Sequence, residues 1–306
     1  MIKVLKTGIL LGYRCNNNCR FCYCADKKGV IAPMKTEEVK KQILAGRNRG
    51  SNFVDFLGGE PTLRADLPEL VEFAKRVGFE QIGITTNGRV LSKKDYTKQL
   101  LDSGLNHVIF SLHGHNAELH DYLTRSPNSF VQATKGIKNV KELNPKAYVC
   151  INTVLLKQNL KVLPEIVRLA FELKANGMEL IFPHPRGNAW HNFEEMVPNL
   201  EELIGPLHEA LHLGHSLGIK HCFARYVPFC YMYGDLAFIS EFFSKDFFAE
   251  HHIAPEYQDL EVAKNRAAYG RVKGPQCSAC KYFKECEGIF KEYALKRGFS
   301  ELVPVP

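Results

Sequence analysis

The sequence predicts an α/β fold: a barrel or partial barrel of parallel strands, followed by a small, irregular, cysteine-containing α+β region. Three observations carry this. Short apolar runs alternate with amphipathic stretches of helical length. The alternation repeats six times, which favours parallel βαβ units closing on themselves over an open sheet. The rhythm then stops after Phe182, and an aromatic-rich stretch without periodicity takes over.

The elements follow in order. Residues 4–11 form an apolar run ending at Gly12 and read as the first strand. A helix is expected over 36–49, with Thr36 as its N-cap and Gly50 closing it. Residues 53–57 and 66–77 form the second strand and helix, stopped by Gly78. Strand and helix pairs recur at 81–85 with 92–103, at 107–112 with 129–143, and at 148–155 with 160–174; a sixth strand spans 178–182. Residues 200–217 read as one amphipathic closing helix ended by Gly218. The division expected is therefore 1–217 for the barrel and 218–306 for the second domain.

Composition bounds the function. The 306 residues are 45% hydrophobic and 24% charged, ordinary for a chain that buries a large core. The net charge of +7 is spread without a dense basic block, which argues against nucleic acid and leaves at most an anionic substrate or ligand. No apolar run reaches the roughly 18 residues of a membrane span. The first dozen residues lack the length and cleavage site of a secretory signal. A cytoplasmic protein without a membrane partner is expected.

Ten cysteines are many for such a chain, and their clustering explains them. Cys15, Cys19, Cys22 and Cys24 crowd into one short segment, and Cys277, Cys280 and Cys286 into another. Clustered thiols in a reducing compartment point to metal, and soft thiolates select zinc or iron–sulfur clusters. Three ligands on a four-iron cubane leave one iron open, which is a catalytic arrangement. A zinc knuckle is the rival for the triplet alone. The polar signatures lie at strand ends: the cysteine loop after strand one, Gly58, Gly59, Glu60 and Pro61 after strand two, Asn87 and Gly88 after strand three, Ser111 after strand four, and His184 after strand six. Chemistry in parallel barrels sits at the carboxyl ends of the strands, so these segments should converge.

The spacing Cys15-x3-Cys19-x2-Cys22 with aromatic Phe21, the Gly58–Gly59–Glu60–Pro61 segment and the Asn87–Gly88 turn together resemble the radical S-adenosylmethionine (SAM) enzymes over residues 5–185. The resemblance implies a partial (β/α)6, TIM-like barrel. It also implies a [4Fe–4S] cluster on Cys15, Cys19 and Cys22 whose open iron chelates SAM, cleaved reductively to a 5′-deoxyadenosyl radical that abstracts a substrate hydrogen. Carried across by position, Gly58, Gly59 and Glu60 are expected at the SAM methionine moiety, with the Glu60 carboxylate accepting from its amino group. Phe21 is expected near the adenine, Ser111 and Asn152 at the ribose or carboxylate, and Arg125 at the carboxylate. Asn87 caps a turn within reach of the ligand. Cys24 is read as a non-ligand, since a fourth thiolate would close the open iron, and Cys150 as a small buried hydrophobe. His113, His115 and His120 are read as loop structure or substrate contacts.

Cys277-x2-Cys280-x5-Cys286 fits a zinc ribbon by itself. After such a barrel it resembles the auxiliary domains called SPASM or Twitch, which implies one auxiliary [4Fe–4S] cluster, because Phe290 stands where the longer pattern has a further cysteine. Cys230 is the expected fourth ligand and Cys222 the runner-up; with neither, one iron stays open to substrate. The expected partners are a small-molecule or peptide substrate and an external one-electron donor such as flavodoxin or ferredoxin. The start of strand one close to Met1 argues against a preceding peptide-leader domain, and no cobalamin domain is expected. The rival from another class is a non-catalytic iron–sulfur electron carrier or sensor, or a barrel with a structural zinc domain.

Overall fold

The computed structural model describes residues 4–306; residues 1–3, the start of the segment read as lacking a signal, lie outside the described residues. Six strands alternate with helices as expected. These are β1 (Val4–Leu10), β2 (Phe53–Leu57), β3 (Gln81–Thr86), β4 (His107–Ser111), β5 (Tyr148–Val154) and β6 (Gly177–Ile181). The helices between them are α1 (Thr36–Asn48), α2 (Leu67–Arg76), α3 (Lys94–Ser103), α4 (Ala117–Thr124), α5 (Ser129–Leu143) and α6 (Leu163–Glu172). Two short helices, α7 (Asn188–His191) and α8 (Phe193–Met196), precede the long α9 (Leu200–Ser216).

The sheet does not end there. β7 (His221–Arg225) pairs parallel with β6, and β8 (Phe248–Ile253) pairs parallel with β1 on the opposite side. β9 (Gln258–Asp259) runs antiparallel to β8, giving the order β7-β6-β5-β4-β3-β2-β1-β8-β9. Eight parallel strands thus stand where six were expected, and a boundary at 217/218 cuts through the sheet. The core is shared as well. Ile289, Phe290, Tyr293 and Leu302 from the C-terminal region join the same buried cluster as Ile9, Phe56, Val108 and Leu180 of the sheet.

The helices cover one face of the sheet through their apolar stripes. Val39 and Ile43 of α1, Leu70 and Val71 of α2, Ile137 of α5, Val167 of α6 and Leu207 of α9 are all fully buried against it. Each such side chain contributes roughly 1.5–3 kcal/mol by leaving water. The α1 cap differs by one residue from expectation. Lys35 is the N-cap, with the Glu38 carboxylate accepting its N–H at 2.8 Å, and the Thr36 hydroxyl donates to Asp66 at 2.7 Å instead.

The other face of the strands is polar. Lys6 of β1 lies 2.7 Å from Glu250 of β8 and 3.8 Å from Asp55 of β2, and Arg225 of β7 meets Glu179 of β6 at 3.1 Å. Arg225 also reaches Glu250 at 3.6 Å. That contact spans β7 and β8, so the sheet has curled until these strands face each other. Side chains join them there; no backbone ladder does. Burial opposes charge on both Lys6 and Glu250, but their mutual attraction and the neighbouring charges outweigh it, holding Lys6 up and Glu250 well below the usual carboxylate range. Phe242, Phe243, Phe247 and Phe248 line the seam between β7 and β8, and Phe243 is half exposed. α10 (Ser240–Ser244) packs against β7 and lines the cavity at this gap. Beyond it, α11 (Val262–Asn265), the hairpin of β10 (Arg271–Val272) with β11 (Ile289–Phe290), and α12 (Lys291–Arg297) complete the chain.

Candidate active site

The segment after β1 has little regular structure of its own, so its backbone polar groups must be satisfied from outside. The N–H groups of Asn18 and Arg20 donate to the carbonyls of Thr124 (3.1 Å) and Leu123 (2.9 Å) at the end of α4. Asn188, at the start of α7, holds two of its carbonyls: its side chain donates to Cys19 O at 2.7 Å and its N–H to Cys22 O at 2.8 Å. Asn192 donates to Arg20 O at 2.8 Å. Gly187 permits this approach, since a Cβ there would come within 2.6 Å of Cys22 O. On the other flank Arg89 donates to Asn16 O and to the Asn17 side chain. These clamps hold Cys15, Cys19 and Cys22 half-buried on one loop.

Burial pushes the Cys15 and Cys19 thiols up, so without a metal to displace the proton they stay neutral. Cys24, read as a non-ligand, is buried with its sulfur 3.7 Å from that of Cys22. The hydrogen bond between the two sulfurs draws the Cys22 pKa down and pushes that of Cys24 up. Asn87 does two things. Its side-chain oxygen accepts from Arg89 N–H in a local turn, and its amide nitrogen reaches Asn16 (2.7 Å) and the Cys15 sulfur (3.7 Å).

The Gly58–Gly59–Glu60 segment lies along the cysteine loop. Gly59 N–H donates to Gly12 O and Glu60 N–H to Arg14 O, each at 2.8 Å. A Cβ on Gly58, at φ +131°, would come within 2.3 Å of Gly12 O, and one on Gly59 within 2.2 Å of Arg14 O. The glycines therefore serve a close approach of two backbone segments. The carbonyls of Gly58 and Gly59 accept from no other group among the described residues, which suits the donor amino group of a SAM methionine moiety.

The expectation for the Glu60 side chain is corrected. Its carboxylate points into the protein, only 4% exposed, and accepts from Thr62 N–H (3.1 Å), Thr62 hydroxyl (2.5 Å), Thr86 hydroxyl (2.6 Å) and Asn87 N–H (2.7 Å). It ties the end of β2 to the end of β3. Burial pushes its pKa up, and the four donors pull it back.

The remaining expected residues separate. Ser111 and Asn152 sit opposite each other at the carboxyl ends of β4 and β5, on the polar face of the sheet. Arg125 caps α4 in a left-handed conformation (φ 50°) with an exposed side chain that has no partner among the described residues. Phe21 is buried among Leu123, Leu156, Ala189 and Met196, edge-on to His113 at 4.7 Å, so its ring anchors the loop. His113 and His120 are structural: the first accepts from Val154 N–H and the second from His113 N–H. Cys150 is buried on the polar face and lines the seam cavity. The polar run His184–Gly187 ending β6 was expected at the site, but sequence reasoning missed Asn188 and Asn192 just beyond it.

The second cysteine group assembles from distant segments. Cys230, Cys277, Cys280 and Cys286 line one enclosed apolar cavity, closed by Tyr282, Leu302 and Val303. The N–H groups of Gly288 and Val305 point at the sulfurs of Cys286 and Cys280, both at 3.4 Å. Burial pushes Cys230 up to about 11 and raises Cys286. Four half-buried thiols, two of them with backbone donors aimed at their sulfurs, suit a thiolate-bound metal centre. Cys222 lies elsewhere, packed against Gly214 of α9, with burial pushing it up to about 12.

A model of the Radical SAM superfamily matches residues 9–170. The chain is 31% identical over 221 residues to a probable GTP 3′,8-cyclase of Saccharolobus islandicus (strain M.14.25 / Kamchatka #1), covering 72% of this chain and 69% of that protein. A probable GTP 3′,8-cyclase of Sulfolobus acidocaldarius is 29% identical over 201 residues, or 66% of this chain and 63% of that one. In fold, the chain resembles Streptococcus suis SuiB bound to its precursor peptide SuiA (TM-score 0.70, 19% identity, covering 100% of this chain and 76% of SuiB). It also resembles anSMEcpe with bound AdoMet and a peptide (TM-score 0.64, 15% identity, covering 94% and 89%). With the matched region running through β1 and the cysteine loop to α6, this chain belongs to the radical SAM superfamily of enzymes.

Proposed function

We propose that the protein holds a [4Fe–4S] cluster on Cys15, Cys19 and Cys22 and an auxiliary [4Fe–4S] cluster on Cys230, Cys277, Cys280 and Cys286. It uses the first to start hydrogen abstraction from a small-molecule or peptide substrate. The observation that carries this is the pairing of the clamped three-cysteine loop with the free carbonyls of Gly58 and Gly59 beside it. When bound, the cluster and SAM supply an electron and a 5′-deoxyadenosyl radical.

The chain's own residues hold and orient. Asn188, Asn192 and Arg89 fix the loop; Asn87 donates toward the Cys15 sulfur, which favours the reduced cluster. Gly58 and Gly59 offer acceptors to an amino group. Ser111 and Asn152 offer hydrogen-bonding groups at the strand ends, and Arg125 a free guanidinium for a carboxylate. Full thiolate ligation of the second group favours an electron role for it over substrate ligation. The reductant is an external one-electron donor of the flavodoxin or ferredoxin kind. Among substrates, GTP has the support of the curated relatives' names and a peptide that of the SuiB and anSMEcpe folds.

Anaerobic reconstitution with SAM and a reductant should release 5′-deoxyadenosine. The Cys15→Ala/Cys19→Ala/Cys22→Ala variant should release none yet still hold about four irons. No 5′-deoxyadenosine from the reconstituted wild type would reject the catalytic reading, and one zinc without iron in the triple variant would return the C-terminal site to a structural zinc centre.

A further inference from the structure

Outside both cysteine groups, His208 and His212 stand one turn apart on α9 and converge on one oxygen of Asp235. His208 Nδ1 lies 2.6 Å from Asp235 Oδ2, and His212 Nε2 lies 2.9 Å from the same atom. The second ring nitrogen of His208 is also committed: Nε2 lies 3.0 Å from the carbonyl oxygen of Tyr231. A carbonyl only accepts, so Nε2 carries a hydrogen. In a neutral ring that leaves Nδ1 as a bare lone pair facing a carboxylate oxygen. Two acceptors at 2.6 Å repel unless something positive lies between them. A proton makes His208 an imidazolium; a metal ion uses the lone pair directly.

We propose that His208, His212 and Asp235 form a surface site for a divalent transition metal of the zinc type. The donor set of two imidazoles and one carboxylate is that of such ions, and the orienting bond from the far nitrogen of a ligand histidine to a backbone carbonyl is already in place. The three donor atoms lie within 4.8 Å of one another. Tetrahedral coordination at about 2.0–2.1 Å sets ligand atoms roughly 3.3 Å apart, so the His208 ring must withdraw from Asp235 by about 0.7 Å and the His212 ring by about 0.4 Å, within reach of side-chain torsions. His212 is exposed, leaving the remaining coordination position to water. Asp235 and Tyr231 belong to the segment just after Cys230, so the ion pins that segment to α9. The site is independent of the reading above, since neither cysteine group uses these residues.

The test is zinc added anaerobically to cluster-loaded enzyme, whose thiolates are already occupied. Calorimetry should show one saturable site with a Kd of about 1 μM or below. X-ray absorption at the zinc edge should show only nitrogen and oxygen neighbours, with no sulfur shell near about 2.3 Å. His208→Gln and His212→Gln should each weaken binding at least about tenfold, whereas His215→Gln, which bonds Cys222 O one turn further on, should not. Since His212 is exposed, its variant tests the site without disturbing the core. A Kd above about 100 μM, a sulfur shell, or unchanged binding in both variants would overturn the proposal and leave His208 as an imidazolium paired with Asp235.

Discussion

Glu60 and Asn188 show how single side chains build this site without touching iron. Glu60→Ala removes the acceptor for four buried donors, two of them backbone N–H groups that keep their need for a partner. Leaving such groups unsatisfied costs about 1–3 kcal/mol each before water or a shift of the chain relieves part of it, so a net loss of about 3 kcal/mol is expected in anaerobic urea denaturation. Glu60→Gln keeps one oxygen but turns an amide N–H₂ toward some of those donors, and should recover less than half the loss. Equal stability of all three proteins would contradict the clamp. Asn188→Ala acts on the loop instead. It frees Cys19 O and leaves only the backbone bond to Cys22 O, so iron should leave to a chelator several times faster while global stability drops by only about 1 kcal/mol. An unchanged release rate would remove Asn188 from the site.

Strands and helices were legible in the sequence wherever burial writes a simple pattern. β1 to β6 each carry apolar residues that pack under a helix, and positive-φ glycines such as Gly78 and Gly104 end the helices visibly. β7 and β8 escape because their inward face is charged: Arg225, Glu250 and His252 alternate with Ala224, Ala249 and Ile253, which reads as a polar loop until partner strands supply the opposite charges. The cysteine triplet was legible because its chemistry demands fixed residue types. Its clamps were not, since any asparagine can hold a carbonyl and only the fold says which one does. The charges on β7 and β8 give a direct test. Arg225→Met leaves Glu179 and Glu250 without their shared partner and should cost about 3–5 kcal/mol at pH 7. Glu250 is held ionised in the folded protein and keeps Lys6 and His252 beside it, so the cost should shrink only as pH falls below the ordinary carboxylate range and Glu250 takes up a proton. A cost independent of pH would mean that Arg225 acts by packing alone.

For the molecule as a whole, buried histidines set the acid limit. His107 and His120 are both pushed down to about 4, chiefly by burial. In the unfolded chain they titrate near about 6.5, so between these values the unfolded state binds protons that the folded state refuses. Stability therefore rises with pH across that window and is lost as pH falls through it. From pH 7.5 to about 5.5 the pair should cost up to about 2.5 kcal/mol, read as a lower urea midpoint with an unchanged slope. An unshifted midpoint would show that these rings already accept protons in the fold. The meeting of β7 and β8 has a separate consequence. A ring of strands closed by backbone hydrogen bonds has its diameter fixed by strand number and stagger. Here β7 and β8 are joined by a guanidinium and a carboxylate, with the phenylalanines of α10 lining the opening. The girth at this point is therefore set by side chains: releasing that ion pair would break no strand pairing, since every strand keeps its hydrogen-bonded neighbours.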